Sequence, residues 1–144
     1  MVVLKEFPNS KEQPFIQTSP EDSIYNCIAW AAGDNTKWYE PDPGNIYFWP
    51  SVVSRQYSIN SYVELYEHFG FIKCDNGKLE PDFEKVVLFS KDGFPTHAAR
   101  QLPDGLWTSK LGKNIDVSHT IEAMEGGFYG NVIQYLKKER QKKS

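Results

Sequence analysis

The chain has 144 residues, of which 40% are hydrophobic and 15% aromatic, enough apolar material for one compact domain with its own core. Its net charge is −3, but residues 137–144 are strongly basic and leave −7 on residues 1–136. A body of that charge repels phosphate backbones, so we expect no nucleic-acid partner. No secretion signal and no bilayer-length apolar run is visible, so we expect a cytoplasmic protein without a membrane partner.

The two cysteines, Cys27 and Cys74, lack the repeated spacing of a disulfide scaffold or a zinc site. No metal and no other cofactor is expected. The whole chain, 1–144, is predicted to be a single domain with a surface arm at 1–19, a core at 20–136 and a basic tail at 137–144.

The first predicted helix carries Cys27. Ser19-Pro20-Glu21-Asp22 is typical of a helix start, and the helix would end near Gly33. Apolar residues recur at helical spacing in this segment and put Cys27 on the inward face. In an alternative start, residues 21–25 are a turn, Asn26 is the cap and Cys27 takes the first helical position.

An aromatic loop is predicted next, at residues 34–50, where prolines interrupt a segment rich in Trp, Tyr and Phe. The rings need burial, so the loop either walls a cleft or packs as a satellite core. Ser58 then caps a second predicted helix that ends at Gly70. His68 would lie on the exposed side of that helix.

The second half of the chain changes to strand periodicity. Four strands are predicted, at Phe71–Cys74, Lys85–Ser90, His97–Leu102 and Leu106–Leu111, joined by Asp-Gly or Asn-Gly turns. Asp116 or Ser118 would cap a short helix reaching Met124, and a last helix would carry Val132, Ile133 and Leu136. This order of elements predicts an α+β domain, with N-terminal helices packed on a small antiparallel sheet.

The candidate nucleophile is Cys27 and the candidate base is His97. A thiol attacks a carbonyl carbon as thiolate, so Cys27 needs a helix N-terminus or a close imidazole. A hairpin centred on Pro103-Asp104-Gly105 would place Ser109 diagonally across from His97 on one face.

Ser109 is therefore the candidate third residue that orients His97, and His119 and Asp116 remain open alternatives. Gln101 shares that face and is a candidate oxyanion donor. The candidate substrate-binding residues are Trp30, Trp38, Trp49, Gln101 and Trp107. The structural alternatives are a buried Cys27 in the core, a hydrogen-bonded strand residue at His97, and a capping or surface role for His119. Metal binding by Cys27, His97 and His119 lacks a specific ligand spacing.

The strings Tyr25–Ala31, Glu84–Phe89, Pro95–Leu102 and Trp107–Gly112 resemble an uncharacterised bacterial domain family, over about Tyr25 to Leu136. More loosely, the chain resembles CHAP-type amidases and other papain-like cysteine hydrolases. That resemblance implies a papain-like architecture, with Cys27 as nucleophile and His97 as base. It departs at Thr108-Ser109-Lys110, where those enzymes usually carry an acidic or amide residue.

The sequence thus predicts a cysteine-dependent hydrolase or acyltransferase that cleaves an amide bond in a protein or peptide-like substrate. Peptidase, amidase and deamidase chemistry all use this machinery. The alternative is a non-enzymatic binding module, of the host-interaction or anti-defence type, that uses the aromatic residues 38–49 as its recognition surface.

Overall fold

The computed structural model describes residues 5–19, 24–111 and 115–140. Within these residues seven strands form one sheet: β1 (Ile16–Ser19), β2 (Ile72–Cys74), β3 (Phe83–Lys91), β4 (Phe94–Gln101), β5 (Trp107–Lys110), β6 (Asp116–His119) and β7 (Asn131–Glu139). The helices are α1 (Cys27–Ala31), α2 (Ile59–His68) and α3 (Ile121–Met124), with a 3-10 helix at Pro8–Lys11. None of these described helices is long and apolar enough to cross a membrane.

The spatial order of the strands is β1-β6-β5-β4-β3-β7-β2, and every pair is antiparallel. The predicted architecture, N-terminal helices on a small papain-like sheet, is therefore wrong, because a wide sheet dominates and the helices are short. The four predicted strands correspond to β2, β3, β4 and β5. Strands β1, β6 and β7 are not among the predicted strands: β1 and β6 widen the sheet at one edge, and β7 is inserted between β3 and β2.

The predicted last helix is strand β7. It lies between β3 and β2, and its Leu136 is fully buried between partners on both sides. Val132 and Ile133 are β-branched and lose little by being extended, so two rows of backbone hydrogen bonds outweigh the helical spacing of three apolar residues.

Helix α1 is shorter than predicted. It begins at Cys27 with Asn26 as its cap, as in the alternative start, and Pro20, Glu21 and Asp22 lie outside the described residues. Ser58 caps α2 as predicted. The short helix α3 is capped by Thr120, because the predicted caps Asp116 and Ser118 belong to strand β6.

The sheet is covered on both faces. The helix-side core packs under α1 and α2 and includes Cys27, Tyr66, Leu88, Ala98 and Leu136. The arm-side core packs under the N-terminal segment and α3 and includes Phe7, Phe15, Phe89, Ala99 and Met124. The predicted surface arm therefore supplies two core side chains. Successive residues of β3 and β4 point to opposite cores, which explains the continuous apolar run of β3.

Candidate active site

Asn26 positions Cys27 at the start of α1. Its Oδ1 accepts hydrogen bonds from the backbone amides of Ala29 and Tyr39, both at 3.1 Å, and its Nδ2 donates to the Tyr39 carbonyl at 2.6 Å. One buried amide side chain therefore caps the helix and also ties it to the aromatic loop. A movement of this loop would therefore shift the start of α1, where Cys27 lies.

The Cys27 sulfur lies against the backbone of strand β4. Burial raises the pKa of the Cys27 thiol to about 11, while hydrogen bonds from the amides of Ala98, Ile28 and Cys27 oppose that rise. The thiol is therefore protonated at neutral pH. The Ala98 amide belongs to the peptide bond that begins at His97, so the sulfur lies beside the His97–Ala98 peptide. The His97 side chain points to the other side of the sheet, where it packs on Phe89 and Tyr129 of the arm-side core, and its Nδ1 makes no hydrogen bond to the Cys27 sulfur.

The pairing of β4 with β5 explains why a thiol reaches this backbone. The two strands pair at Gln101 and Arg100 and then separate, so the edge of β4 at residues 97–99 is not covered by β5. Helix α1 packs against both strands at this place. The Ala98 amide is thus available to the sulfur instead of to a strand partner.

His97 begins a buried hydrogen-bond chain that crosses three strands. Its Nε2 lies 2.9 Å from Ser109 Oγ, which lies 2.6 Å from Nε2 of His119. Nδ1 of His119 lies 2.7 Å from the carbonyl oxygen of Thr120. All three side chains are buried, so the predicted diagonal contact of His97 with Ser109 is observed and His119 extends it.

The chain determines which ring nitrogens carry protons. The Thr120 carbonyl can only accept, so His119 Nδ1 donates to it and a neutral His119 accepts the Ser109 hydroxyl proton at Nε2. Ser109 Oγ must then accept from His97 Nε2. Nδ1 of His97 is left as the basic nitrogen, and it is buried without a hydrogen-bond partner among the described residues.

Both imidazoles are held neutral. Burial lowers the pKa of His97 well below its usual range, and the nearby His119 adds to that effect. Burial also lowers the pKa of His119 to about 4, against the opposing hydrogen bond to Thr120. Both rings are therefore neutral at pH 7, and His97 Nδ1 has a free lone pair that can accept a proton.

Tyr129 fixes the plane of the His97 ring. The two rings are stacked, with centroids 4.1 Å apart and an interplanar angle of 5°. Thr96 Oγ1 donates to the Tyr129 carbonyl at 2.5 Å, which ties the 126–130 loop to the same strand as His97. The imidazole is therefore held by a hydrogen bond at one nitrogen and by stacking on one face.

A cavity of about 270 Å³ opens beside Cys27. Its rim includes the half-exposed Tyr57 and the exposed Phe128, so solvent reaches it. Aromatic side chains and one carboxylate form most of the wall. The lining residues are Asn26, Cys27, Ile28, Trp38, Tyr39, Glu40, Tyr57, Tyr62, Pro95, Thr96, Phe128 and Tyr129.

Of the five predicted substrate-binding residues, Trp38 alone lines this cavity. The other four are engaged elsewhere: Trp30 Nε1 donates to Thr108 Oγ1, Trp49 Nε1 to the Ser54 carbonyl, Gln101 Nε2 to the Gly77 carbonyl, and Trp107 packs on Tyr135. Asp116, the open alternative to Ser109, accepts from the Tyr25 hydroxyl at 2.6 Å. No group of three His, Cys, Asp or Glu side chains in the described ranges is arranged to hold a metal ion.

Most residues that line the cavity were not predicted as site residues, and three of them matter most for its chemistry: Tyr129, Glu40 and Tyr57. Tyr129 follows Gly126 and Gly127, which indicated only a break between helices. Glu40 and Tyr57 meet because the aromatic loop folds back on itself, and no local periodicity encodes that contact. The cap at Asn26 was the one local signal, because Asn followed by an apolar helical run is typical of an N-cap.

No match to a curated protein or to a solved structure was found. The family description "Domain of unknown function (DUF7689)" matches residues 16–137, which contain every residue of the cavity and of the hydrogen-bond chain. This agrees with the resemblance of the Tyr25–Leu136 strings to an uncharacterised domain family. The chain therefore belongs to the domain family of unknown function DUF7689.

Proposed function

We propose that the protein is a cysteine-dependent hydrolase or acyltransferase that acts on an amide bond, with Cys27 as nucleophile and His97 as general base. The observation that carries this proposal is the directed chain from Thr120 to His97, which leaves Nδ1 of His97 as an unpartnered base on the residue whose peptide contacts the Cys27 sulfur. A buried ring nitrogen without a partner costs free energy, and a role as proton acceptor would account for that cost.

The reaction starts from a neutral thiol and a neutral imidazole. In the proposed reaction His97 Nδ1 takes the proton through a bridging water molecule, since it makes no direct hydrogen bond to the sulfur. The sulfur attacks the substrate carbonyl carbon as it loses that proton, and the carbonyl electrons move onto oxygen. The amides that lie against the sulfur donate to that oxygen. The C–N bond then breaks as the imidazolium protonates the leaving amine, and a thioester remains on Cys27.

The second half returns the enzyme to its starting state. A water molecule, or an amine in the transferase case, loses a proton to His97 and attacks the thioester, which releases the acid or the new amide. Ser109 and His119 act as positioning residues, because their hydrogen bonds hold His97 Nε2 protonated and its Nδ1 basic. Tyr129 keeps the ring in plane throughout.

The test is a screen of the full chain against peptide, side-chain amide and isopeptide substrates, followed by three variants. Cys27→Ala and His97→Gln are expected to lose about a thousandfold or more of the activity. Cys74→Ala is the matched control, because Cys74 is a second thiol outside the cavity, and it is expected to keep the activity. Activity that survives in Cys27→Ala would refute the proposal.

A binding module is the second candidate, and the shape of the aromatic loop favours it. Asp42 accepts from the amides of Ile46 and Tyr47 and pairs with Arg55, which makes the loop rigid. Ile46 in this loop and Val52 just after it are exposed, at 79% and 77%. Such a surface fits a protein partner. An Ile46→Ser/Val52→Ser protein that loses binding to a partner, while Cys27→Ala keeps it, would favour this function.

A further inference from the structure

We propose that the cavity beside Cys27 binds a basic side chain of the substrate, with Glu40 as its counter-charge. This deepens the proposed function by naming the chemical class of the substrate, and it rests on that function only for the idea that the ligand is a substrate. The juxtaposition that carries it is a single carboxylate in an aromatic wall, next to a thiol.

The Glu40 carboxylate is held in place by two neutral donors. Trp38 Nε1 donates to Oε1 at 3.1 Å, and the Tyr57 hydroxyl donates to Oε2 at 2.5 Å. The bond to Glu40 is the main reason why the pKa of Tyr57 rises to about 12, so Tyr57 stays a donor at neutral pH. Neutral donors orient the carboxylate without cancelling its charge.

No described Lys, Arg or His lies within 4.0 Å of Glu40. The other carboxylates of this region are paired, since Asp34 lies 3.7 Å from Lys37 and Asp42 lies 3.3 Å from Arg55. Lys37 also sits over the Phe48 ring, 4.5 Å from its centroid. Asp34 and Asp42 thus each have a basic partner, whereas Glu40 has none among the described residues.

The rest of the wall suits the other parts of a basic side chain. Trp38, Tyr57 and Phe128 line the cavity, and aromatic rings attract an ammonium or guanidinium group that meets their faces. The methylene stem of lysine or arginine packs on the same rings. A volume of about 270 Å³ fits one side chain rather than a bulky ligand.

An anionic ligand is disfavoured by the same geometry. Glu40 would repel it, and none of the residues that line the cavity is a lysine, arginine or histidine. A neutral apolar side chain would fill the volume but displace water from the Glu40 carboxylate and offer it no hydrogen bond in return, which costs free energy. A cationic side chain would compensate the charge of Glu40, so this one residue would make the cavity selective for positive charge.

The experiment measures binding without turnover, in the Cys27→Ala protein, by calorimetry. Nα-acetyl-lysine amide is compared with Nα-acetyl-norleucine amide, which has an aliphatic side chain of similar length but no ammonium group. We expect the lysine compound to bind about tenfold more tightly, because the ammonium forms a charged hydrogen bond and cation–π contacts. Equal binding of the two compounds, or tighter binding of norleucine, would overturn the proposal.

Two variants then assign the effect to Glu40. Glu40→Gln keeps the shape and an acceptor oxygen and is expected to lose the preference for lysine. Glu67→Gln removes one negative charge from the exposed side of α2 and is expected to keep that preference. A preference that survives in Glu40→Gln would also overturn the proposal.

The outcome is separable from that of the proposed function. Binding that is selective for lysine, in a protein that never cleaves an amide, would remove the hydrolase and keep the cation site. Amide cleavage that depends on Cys27 but is indifferent to the charge of the side chain would keep the hydrolase and remove the cation site.

Discussion

Ser109 sets the protonation of two imidazoles, because its hydroxyl has one proton and that proton goes to His119. We expect Ser109→Ala to lower the free energy of unfolding by about 2–4 kcal/mol, since it leaves a buried donor on His97 and a buried acceptor on His119. Urea unfolding measures this. Ser118→Ala is the control, because Ser118 lies on the next strand and faces the opposite core, and it should cost less than about 1 kcal/mol.

The two buried histidines make stability depend on pH. The pKa of His119 is about 4 in the folded protein and close to 6.5 in the unfolded chain, so the unfolded state binds more protons between these values. The stabilisation is complete above pH 6.5 and is lost as the pH falls. We expect the free energy of unfolding to drop by about 2 kcal/mol from pH 7 to pH 5 through His119 alone, with His97 adding to the drop.

Urea unfolding at pH 7, 6 and 5 measures this slope. The carboxylates with lowered pKa, Asp34, Asp42 and Glu80, contribute below their ordinary pKa values of 3.8 to 4.5 and leave this window to the histidines. His68→Gln is the matched control, since His68 is exposed on α2 and should not change the slope. A flat profile between pH 7 and pH 5 would contradict the neutral, buried state of the histidine pair.

At the scale of elements, Asn26 both caps α1 and joins it to the aromatic loop. Asn26→Ala removes the acceptor for Ala29 and both bonds to Tyr39, so α1 and the aromatic loop lose their common anchor. We expect a loss of about 2–3 kcal/mol in the free energy of unfolding. Ser58→Ala, at the cap of α2, loses the bond from the Ser61 amide and should cost about 1 kcal/mol. Equal costs would show that the Tyr39 bonds contribute nothing.

The start of β7 depends on a glycine. Gly130 has a φ of +79°, and a Cβ there would lie 2.1 Å from the Ser90 carbonyl oxygen of the neighbouring strand. We expect Gly130→Ala to cost about 3 kcal/mol or more, measured by thermal and urea unfolding. Gly93→Ala is the control that measures backbone strain without a steric clash, because Gly93 has a φ of +84° and a Cβ there would meet no atom within 4 Å. Gly93→Ala should lower the free energy of unfolding by about 1 kcal/mol. A similarly small loss for Gly130→Ala would mean that β3 and β7 move apart and relieve the clash.

At this scale the sequence predicts the features that depend on neighbouring residues, such as turns and helix caps. The Pro103-Asp104-Gly105 turn sets the β4–β5 register, and that register alone brings Ser109 to His97. Asn26 before an apolar helical run likewise predicts a helix cap. The helix predicted at β7 is wrong because the partners of this strand, β3 and β2, are distant in sequence, and pairing on both edges overrides a weak helical spacing. The contact of Glu40 with Tyr57 depends on the same kind of distant packing.

At the scale of the molecule, the reactive thiol depends on the whole sheet. Helix α1 has five residues, too few to be stable alone, so its place is set by the cap at Asn26 and by packing on β4 and β5. Strand β4 is in turn held by β3, whose Val86 to Phe89 are buried from both faces. Full exposure of Cys27 should therefore require unfolding of the sheet, because in the folded protein its thiol meets solvent only through the cavity.

We expect this coupling to appear in the alkylation of Cys27 by iodoacetamide, measured in a Cys74→Ser protein that has a single thiol. At pH 7 the native rate should be at least about tenfold below that of the unfolded chain, because burial raises the pKa of Cys27 to about 11 and the thiolate is scarce. In urea the rate should rise through the same midpoint as tryptophan fluorescence, since one cooperative transition removes both kinds of burial. Alkylation that precedes the transition would mean that α1 undocks from an intact sheet. A fast native rate that levels off below pH 7 would mean that Cys27 and His97 form an ion pair, which the neutral imidazole of the Thr120–His97 chain argues against.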